Sequence, residues 1–599
     1  MDRQKIREIY QGLKQEQEQE LSELKKKHLL VSLLRLLVFI GGAVLSVLTF
    51  NHSLIAGTAV LFSAIVLFLF LIRIFGDLTS EITIAENLVR INGNEIRALD
   101  GDFSPFNGGA DFIDPGHDFS VDIDLFGNSS LFSYLNRTVT GSGRNMLVTW
   151  LLDPYKLRNE ILPMQEAVRE LAAKLEWRQK FMACGLGKPL DDEEINSLRE
   201  WLGEDEDSIA SPFKRIAYYI LPAAALASFG LLIGGIMPFS AFMLIFLVNL
   251  GLTGLSFGRT NRIHDMVSRK HNFLFSFGQL VSAFENESFN SAILLSVKDK
   301  LCSAGGSVAG KIRDLDRLIR KFDSRLNMIL GFLLNGFLLW DFHCIIKLEK
   351  WRKSAEQGLP LWLSLLGKAD ALNSLANYAF NNPDYCYPSI SEREPVFEAV
   401  ALGHPLLPRD TRVCNDFSVS EKGIVYIITG ANMAGKSTFL RTVAVNMILG
   451  MTGAPVCARS MNLAPVKLFT SMRTVDSLNH NESYFYAELK RLKILKERLE
   501  REENIFFLLD EILKGTNSTD KSLGSKQFLG KLLELGGTGL IATHDISLGE
   551  MEQEHPGRVL NKCFEIEIDG ENISFDYLLR DGITRKMNAA FLMRQMGIV

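Results

Sequence analysis

IVYIITGANMAGKSTFLRTVAVNMIL, residues 424–449, decides how this chain is read. Ile424 to Thr429 is a run rich in β-branched residues, which predicts a buried strand. Gly430-Ala431-Asn432-Met433-Ala434-Gly435-Lys436-Ser437 matches GxxxxGK[ST], and a helix is predicted from Thr438. Strand, glycine loop and helix in this order are the setting in which such a loop cradles phosphate. The glycines let backbone amides turn inward, and the helix N-terminus adds the positive end of its dipole. Gly430 through Thr438 are therefore the candidate nucleotide-binding residues. Lys436 is placed to neutralise β/γ oxygens, and the Ser437 hydroxyl to ligate Mg²⁺, with ATP as the expected nucleotide.

Two further segments fit the same site. NIFFLLDEILKGT (504–516) predicts a second buried strand, Ile505 to Leu509, with Asp510 and Glu511 at its C-terminal edge, where parallel α/β sheets bind ligands. Asp510 suits the Mg²⁺ and Glu511 the attacking water. GLIATHD (539–545) predicts a third strand ending in His544, a candidate sensor of the γ-phosphate. This order matches the ABC-type ATPase class, yet the LSGGQ signature of transporters is absent, and NESYFYAELKRLKIL (481–495) stands in its place. After about residue 396, strands alternate with helices, so 396–599 is expected to be an α/β P-loop domain.

Outward from that domain the composition changes. Mean hydropathy is +0.10, and 47% of the 599 residues are hydrophobic, high enough to ask where they sit. Leu29–Phe50 and Leu54–Ile74 form one apolar pair, and Ile216–Ile236 and Phe239–Phe257 a second. Each run is about 20 residues, a helical span of the hydrocarbon core. Lys25 to Lys27 and Arg73 flank the first pair, Lys214, Arg215, Arg259 and Arg262 the second, and the tips carry no Lys or Arg. The positive-inside rule then puts both tips outside and every long segment in the cytoplasm. The expected location is the plasma membrane, multi-pass, with the N-terminus and ATPase domain cytoplasmic. Met328–Ile346 is also apolar, but a fifth span would move the nucleotide site outside the cell. A buried helix is expected there, with Phe337 and Trp340 as core residues and His343 as a core or boundary histidine.

The expected organisation is a polar helix over 1–28, a transmembrane hairpin over 29–75 and a linker over 76–118. Helical regions at 119–210 and 261–395 flank a second transmembrane hairpin at 211–260. KIRDLDRLIRKFDSRL (311–326) places Ile312, Leu315, Leu318, Ile319, Phe322 and Leu326 on one helix face. Residues 261–325 hold 11 Lys/Arg against 7 Asp/Glu, which a solvated helix face explains better than a DNA groove. The seven cysteines are dispersed without a CxxC, as in a reduced cytosolic body. A net charge of -5 gives no bulk sign of nucleic-acid binding.

The motifs together resemble the MutS family. TGANMAGKST (429–438) is similar to that family's TGxNMxGKST, with Ala431 and Ala434 where Pro and Gly are usual. Ser483-Tyr484-Phe485-Tyr486-Ala487-Glu488 resembles its S-x-F-x-x-E signature. DEILKGTNST (510–519), ATH (542–544) and GHPLL (403–407) also have counterparts. LFGNSSLFSYLNRTVTGSGRNMLVTWLLDP (125–154) resembles the start of the family's core domain and DALNSLANYAF (370–380) the end of its lever. The resemblance implies an all-α core and lever region before the ATPase domain. It implies a head-to-tail homodimer in which Ser483 reaches the γ-phosphate in trans, so Glu511, His544, Ser483 and Lys436 form the catalytic set. It also implies mismatched or branched DNA as a partner.

The departures are a missing mismatch-reading domain, a hairpin where relatives support the DNA clamp, and an early end where a dimerising tail would follow. The reading is thus a membrane-anchored MutS-like ATPase related to mismatch repair or recombination. The alternative is an ATP-driven membrane machine that couples to lipid or a protein partner without DNA.

Overall fold

The structure is a computed structural model that describes residues 2–186, 212–303, 307–356, 358–392, 396–473, 484–514, 517–569 and 572–584. The chain begins with two long helices, α1 (Arg3–Phe50) and α2 (Leu54–Leu99), which pack antiparallel along their length. The Ser53 hydroxyl accepts from the Ala56 amide and starts α2 after a three-residue turn. Among the described residues, these two helices are each long and apolar enough to cross a membrane. Their apolar halves are exposed, Leu37 at 67% and Ile55 at 82%. Their polar halves form a stalk tied by Lys25 and Glu86 at 2.8 Å and by Arg7 with Asp100. Two sequence expectations change here. Residues 1–28 are no free solvated helix, because Ile6 and Tyr10 are fully buried and the Tyr10 hydroxyl donates to Asn381. The expected linker over 76–118 is helical as far as Leu99, because Ile84, Leu88 and Ile91 carry an apolar stripe onto the body.

The helical body comprises α3 (Leu131–Leu135), α4 (Gly141–Leu152), α5 (Arg158–Ala172) and α6 (Leu175–Leu186). A second hairpin follows, α7 (Pro212–Ile233) and α8 (Phe239–Leu255). Then come α9 (Phe257–Glu285), α10 (Ala292–Ser303), α11 (Val308–Asp323), α12 (Met328–Leu338), α13 (Trp340–Ala355) and α14 (Leu359–Asn381). The α14 helix is the axis of this body and is buried along most of its length. The Asp370 carboxylate on it accepts from the Val139 and Thr140 amides at 3.0 and 2.8 Å and from the Thr140 hydroxyl at 2.7 Å. A side chain at Gly143 would collide with Asp370, so glycine is required for this approach. α11 buries Ile312, Leu315, Ile319 and Phe322 as its periodicity predicts, but Leu326 lies beyond its end and is 69% exposed.

The Met328–Ile346 stretch departs from expectation. It is broken at Leu339, where φ is +47°, and Met328, Ile329, Leu330, Phe332 and Leu333 of α12 are exposed instead of buried. Phe337 packs on the second hairpin, not in the body's core.

The C-terminal region is α/β. A four-stranded sheet has the order β1-β5-β2-β3, with β1 Ser389–Ile390, β2 Phe397–Leu402, β3 Asn415–Val419 and β5 Ser460–Leu463. A six-stranded sheet has the order β10-β9-β4-β8-β7-β6. Its strands are β4 (Val425–Gly430), β6 (Lys467–Ser471), β7 (Ile505–Asp510), β8 (Thr538–Thr543), β9 (Val559–Asp569) and β10 (Asn572–Asp581). All neighbours are parallel except the β9–β10 edge pair. β4, β7 and β8 are buried at every position, which matches their unbroken apolar runs. Helices α15 (Lys436–Met451), α16 (Tyr484–Glu500) and α17 (Ser518–Glu534) cover the sheet.

The two regions are joined by aspartates of the 101–130 loop. Asp122 accepts from the Thr470 hydroxyl at 2.6 Å and from the Met472 and Arg473 amides at 3.1 and 2.7 Å. Arg491 of α16 donates to the carbonyls of Asp118 and Thr470 at 2.7 and 2.8 Å.

Candidate functional site

Parallel strand order brings the C-terminal ends of β4, β7 and β8 side by side. That edge gathers the 430–437 loop, Asp510 with Glu511, and His544, which are far apart in sequence. The loop turns sharply into α15: Met433 has φ +67° and Gly435 φ +106°. At Gly435 a side chain would also press within 3.1 Å of the Tyr577 ring, so this position needs glycine twice over. Ala431 and Ala434 are buried under the loop, while Asn432 and Met433 form its exposed tip.

Lys436 is buried, and its ammonium donates to the carbonyls of Gly430 and Ala431 at 2.7 and 2.9 Å. Burial pushes its pKa below the usual lysine value, while Glu511 and Asp510 pull the other way. The Ser437 hydroxyl donates to Asp510 Oδ2 at 2.5 Å. Burial raises the Asp510 pKa, and its Oδ1 is buried without a hydrogen-bond partner. An orphaned carboxylate oxygen beside a serine hydroxyl is a donor set that suits a hard divalent cation.

Glu511 adopts φ +53°, and its amide bonds to the Ala542 carbonyl at 2.8 Å, which aims the side chain along the sheet edge. His544 Nδ1 lies 3.3 Å from Glu511 Oε1. Burial opposes ionisation of Glu511, but His544, Lys514 and Lys436 outweigh it and hold the pKa below the usual glutamate value. A carboxylate kept ionised beside an imidazole is equipped to accept a proton from water.

A cleft of about 610 Å³ opens over the loop and α15. Lys436, Ser437 and Glu511 line its deep end, and His404, Leu407 and Tyr577 wall the rest. Its mix of convergent charge and apolar wall is that of a small-molecule site. The catalytic candidates Lys436, Glu511 and His544, the metal candidates Ser437 and Asp510, and the loop Gly430 to Thr438 therefore share one edge. Ser483, the remaining candidate, lies outside the described residues.

Three contributors are not among the candidate site residues read from the sequence. Tyr577 comes from β10, about 140 residues from the loop, and carries no local signature. His404 belongs to GHPLL, which marks the domain entry without implying a cleft wall. Glu488 ends the SYFYAE segment; its buried carboxylate accepts from the Leu513 and Lys514 amides at 2.6 and 3.1 Å and clamps the turn after Glu511. Leu513 is itself at φ +60°, so this clamp holds a turn that would otherwise relax.

Comparison with known proteins agrees with this edge. Residues 426–593 match the family described as MutS domain V. Similar chains include the DNA mismatch repair protein MutS of Persephonella marina, 25% identical over 79% of this chain and 57% of its own length. Endonuclease MutS2 of Thermus thermophilus is 27% identical over 41% of this chain and 32% of its own. The DNA mismatch repair protein MSH4 of Arabidopsis thaliana is 29% identical over 38% and 29%. The chain thus spans between about a third and somewhat over half of the length of these curated relatives. The family match thus lies on the strands and loops that build the site, and this C-terminal region is a MutS domain V.

Proposed function

We propose that this chain is a membrane-anchored MutS-like ATPase that works as a head-to-tail homodimer and engages DNA. The observation that carries the chemical part is the meeting of Lys436, Ser437, Asp510, Glu511 and His544 at one sheet edge, beside a cleft large enough for a nucleotide. Lys436 binds β/γ-phosphate oxygens, and loop amides between Gly430 and Thr438 orient the phosphate chain. Ser437 and Asp510 would hold Mg²⁺, which, when bound, neutralises phosphate charge. Glu511 accepts the proton of the attacking water, and His544 steadies that carboxylate and reads the γ-phosphate position. The signature serine, Ser483, would be contributed by a second copy of the chain.

DNA as the partner follows from the relatives, whose names are those of mismatch repair proteins and an endonuclease. Membrane anchoring follows from the exposed apolar halves of α1 and α2 and the apolar second hairpin. The location would be the plasma membrane, with the nucleotide site cytoplasmic.

The site is tested by Glu511→Gln in the purified full-length protein. Hydrolysis should fall by roughly 100-fold or more while ATP binding persists. Unchanged hydrolysis would remove Glu511 from the reaction. The DNA reading is tested by binding of a mismatched or branched duplex across a salt series. Affinity that falls steeply with salt supports it. Absence of binding at low salt, with hydrolysis intact, would leave the lipid- or protein-coupled machine as the better account.

A further inference from the structure

The α12 helix is apolar, exposed and too short to span. Met328, Ile329 and Phe332 are 89%, 75% and 54% exposed, and Leu330 and Leu333 are also uncovered. Scattered apolar residues are ordinary on a protein surface, but a continuous patch on one helix is not. Eleven residues make about 16 Å of helix, roughly half of a hydrocarbon core.

The C-terminal half of α12 is pressed onto the second hairpin, and Phe332 also touches Phe246 there. A side chain at Gly336 would collide with the Phe246 ring, so the helix and α8 are in close contact. The Gly336 carbonyl accepts from the buried Asn249 amide group at 2.9 Å. The Phe337 ring packs on Phe229, Phe242 and Phe246 at 5.2–5.8 Å between centroids. These partners lie within α7 and α8, not at their bases, and their neighbours Leu226, Leu244 and Leu247 are exposed. The uncovered face of α12 therefore continues the apolar surface of the hairpin.

Both ends of α12 are sealed, and the residues flanking it are tied to each other. Asn327 caps the first turn through the Leu330 amide at 3.1 Å. Leu339 adopts a left-handed conformation, and the Asn335 side chain accepts from the Asp341 amide at 3.0 Å. α13 then leaves at 80° to α12. Arg325 before the helix and Asp341 after it form an ion pair at 3.1 Å with both side chains almost fully buried. The Trp340 indole donates to the Lys321 carbonyl at 2.9 Å, which fixes the two flanks together. A segment with paired flanks, capped ends and a lipophilic outer face satisfies the demands of a dip into hydrocarbon.

From this we infer that residues 327–339 form a half-helix that enters the hydrocarbon core beside the second hairpin without crossing it, its uncovered residues contacted by lipid acyl chains and its Arg325–Asp341 pair on the cytoplasmic side. This inference rests on the membrane reading of that hairpin. It gives the helical body a third lipid contact, placed directly between α11 and α13, so that movement of either helix acts on the bilayer without crossing it.

Nitroxides report the environment. The full-length protein carrying Cys302→Ser is labelled at Ile329→Cys or Met328→Cys, at Leu244→Cys in the hairpin and at Lys496→Cys on α16. It is reconstituted in phosphatidylcholine–phosphatidylglycerol vesicles. Collision with oxygen, which partitions into lipid, is compared with collision with a water-soluble nickel chelate. Labels at 328 and 329 should match that at 244, with an oxygen-to-nickel ratio several-fold above that at 496. A water-like ratio at 328 and 329 with a lipid-like ratio at 244 overturns the half-helix and leaves the hairpin reading intact. Water-like ratios at 244 as well overturn both. Protection from both reagents, with dipolar broadening between labels, would mean that a second copy covers α12, and this too overturns the inference.

Discussion

His404 shows how a single partly buried ring turns the cleft at the sheet edge into a pH-sensitive part of the fold. Burial, reinforced by the nearby Arg441 guanidinium, lowers its pKa to about 4. The unfolded chain takes up a proton near pH 6.5, which the folded chain refuses until about pH 4. The stabilisation is therefore complete above pH 6.5 and is lost as pH falls through that window. The full contribution is about 3 kcal/mol. Thermal midpoints of the full-length protein and of His404→Gln, compared from pH 7.5 to 4.5, should diverge, with the variant losing less stability on acidification. Parallel curves would show that His404 is not held neutral. At this scale the motif residues were legible, because Lys436, Ser437, Asp510, Glu511 and His544 are set at strand ends by local pattern. His404 and Tyr577 were not, because their place in the cleft depends on how separate strands stack.

Asp122 illustrates what elements add. Its carboxylate holds the end of β6 by one hydroxyl and two amides, while Arg491 ties α16 to the same loop. The helix that follows the signature segment is thereby fixed to the helical body as well as to its own sheet. Asp122→Ala would remove the acceptor of the Met472 and Arg473 amides and leave the Thr470 hydroxyl only its 3.3 Å bond to the Asp118 carbonyl, a cost of about 3 kcal/mol. Urea unfolding of the detergent-solubilised protein, followed by a probe on the α/β region, should shift to lower denaturant by a corresponding amount. Asp122→Asn, which keeps acceptor oxygen on one arm, should shift it less. Equal shifts for both would mean that the charge, not the acceptor geometry, matters. Elements with one strong period were readable from sequence: the three buried strands and the amphipathic α11. The 101–130 loop was not, since its Gly, Pro and Asp content announces irregular chain but not which distant amides those aspartates satisfy. The break at Leu339 was also hidden, because parity argued for burial while the apolar face was in fact matched to the second hairpin.

For the whole molecule, the arrangement of hairpins decides whether the α/β region and the apolar helices work as one. α1 and α2 do not end at the apolar boundary; they run on as a stalk whose base, at Ile6 and Tyr10, is buried in the body next to α14. Glu95 of that stalk accepts from Arg137 at 2.5 Å and from Asn381 at 2.8 Å, so its foot grips both ends of the core region that resembles family relatives. Rigid continuous helices of this kind transmit displacement instead of absorbing it, and the stalk thus couples α14 to whatever surrounds the apolar half. If that surrounding is the bilayer, the tips must lie on the far side from the nucleotide site. Cysteines introduced at His52 and at Met237 should react with a membrane-impermeant maleimide applied to intact cells. Cysteines at Lys14 in the stalk and Lys496 on α16 should react only after permeabilisation. Labelling of Lys14→Cys in intact cells would invert the orientation, and labelling of all four sites only after permeabilisation would show that neither tip reaches the far side of the membrane.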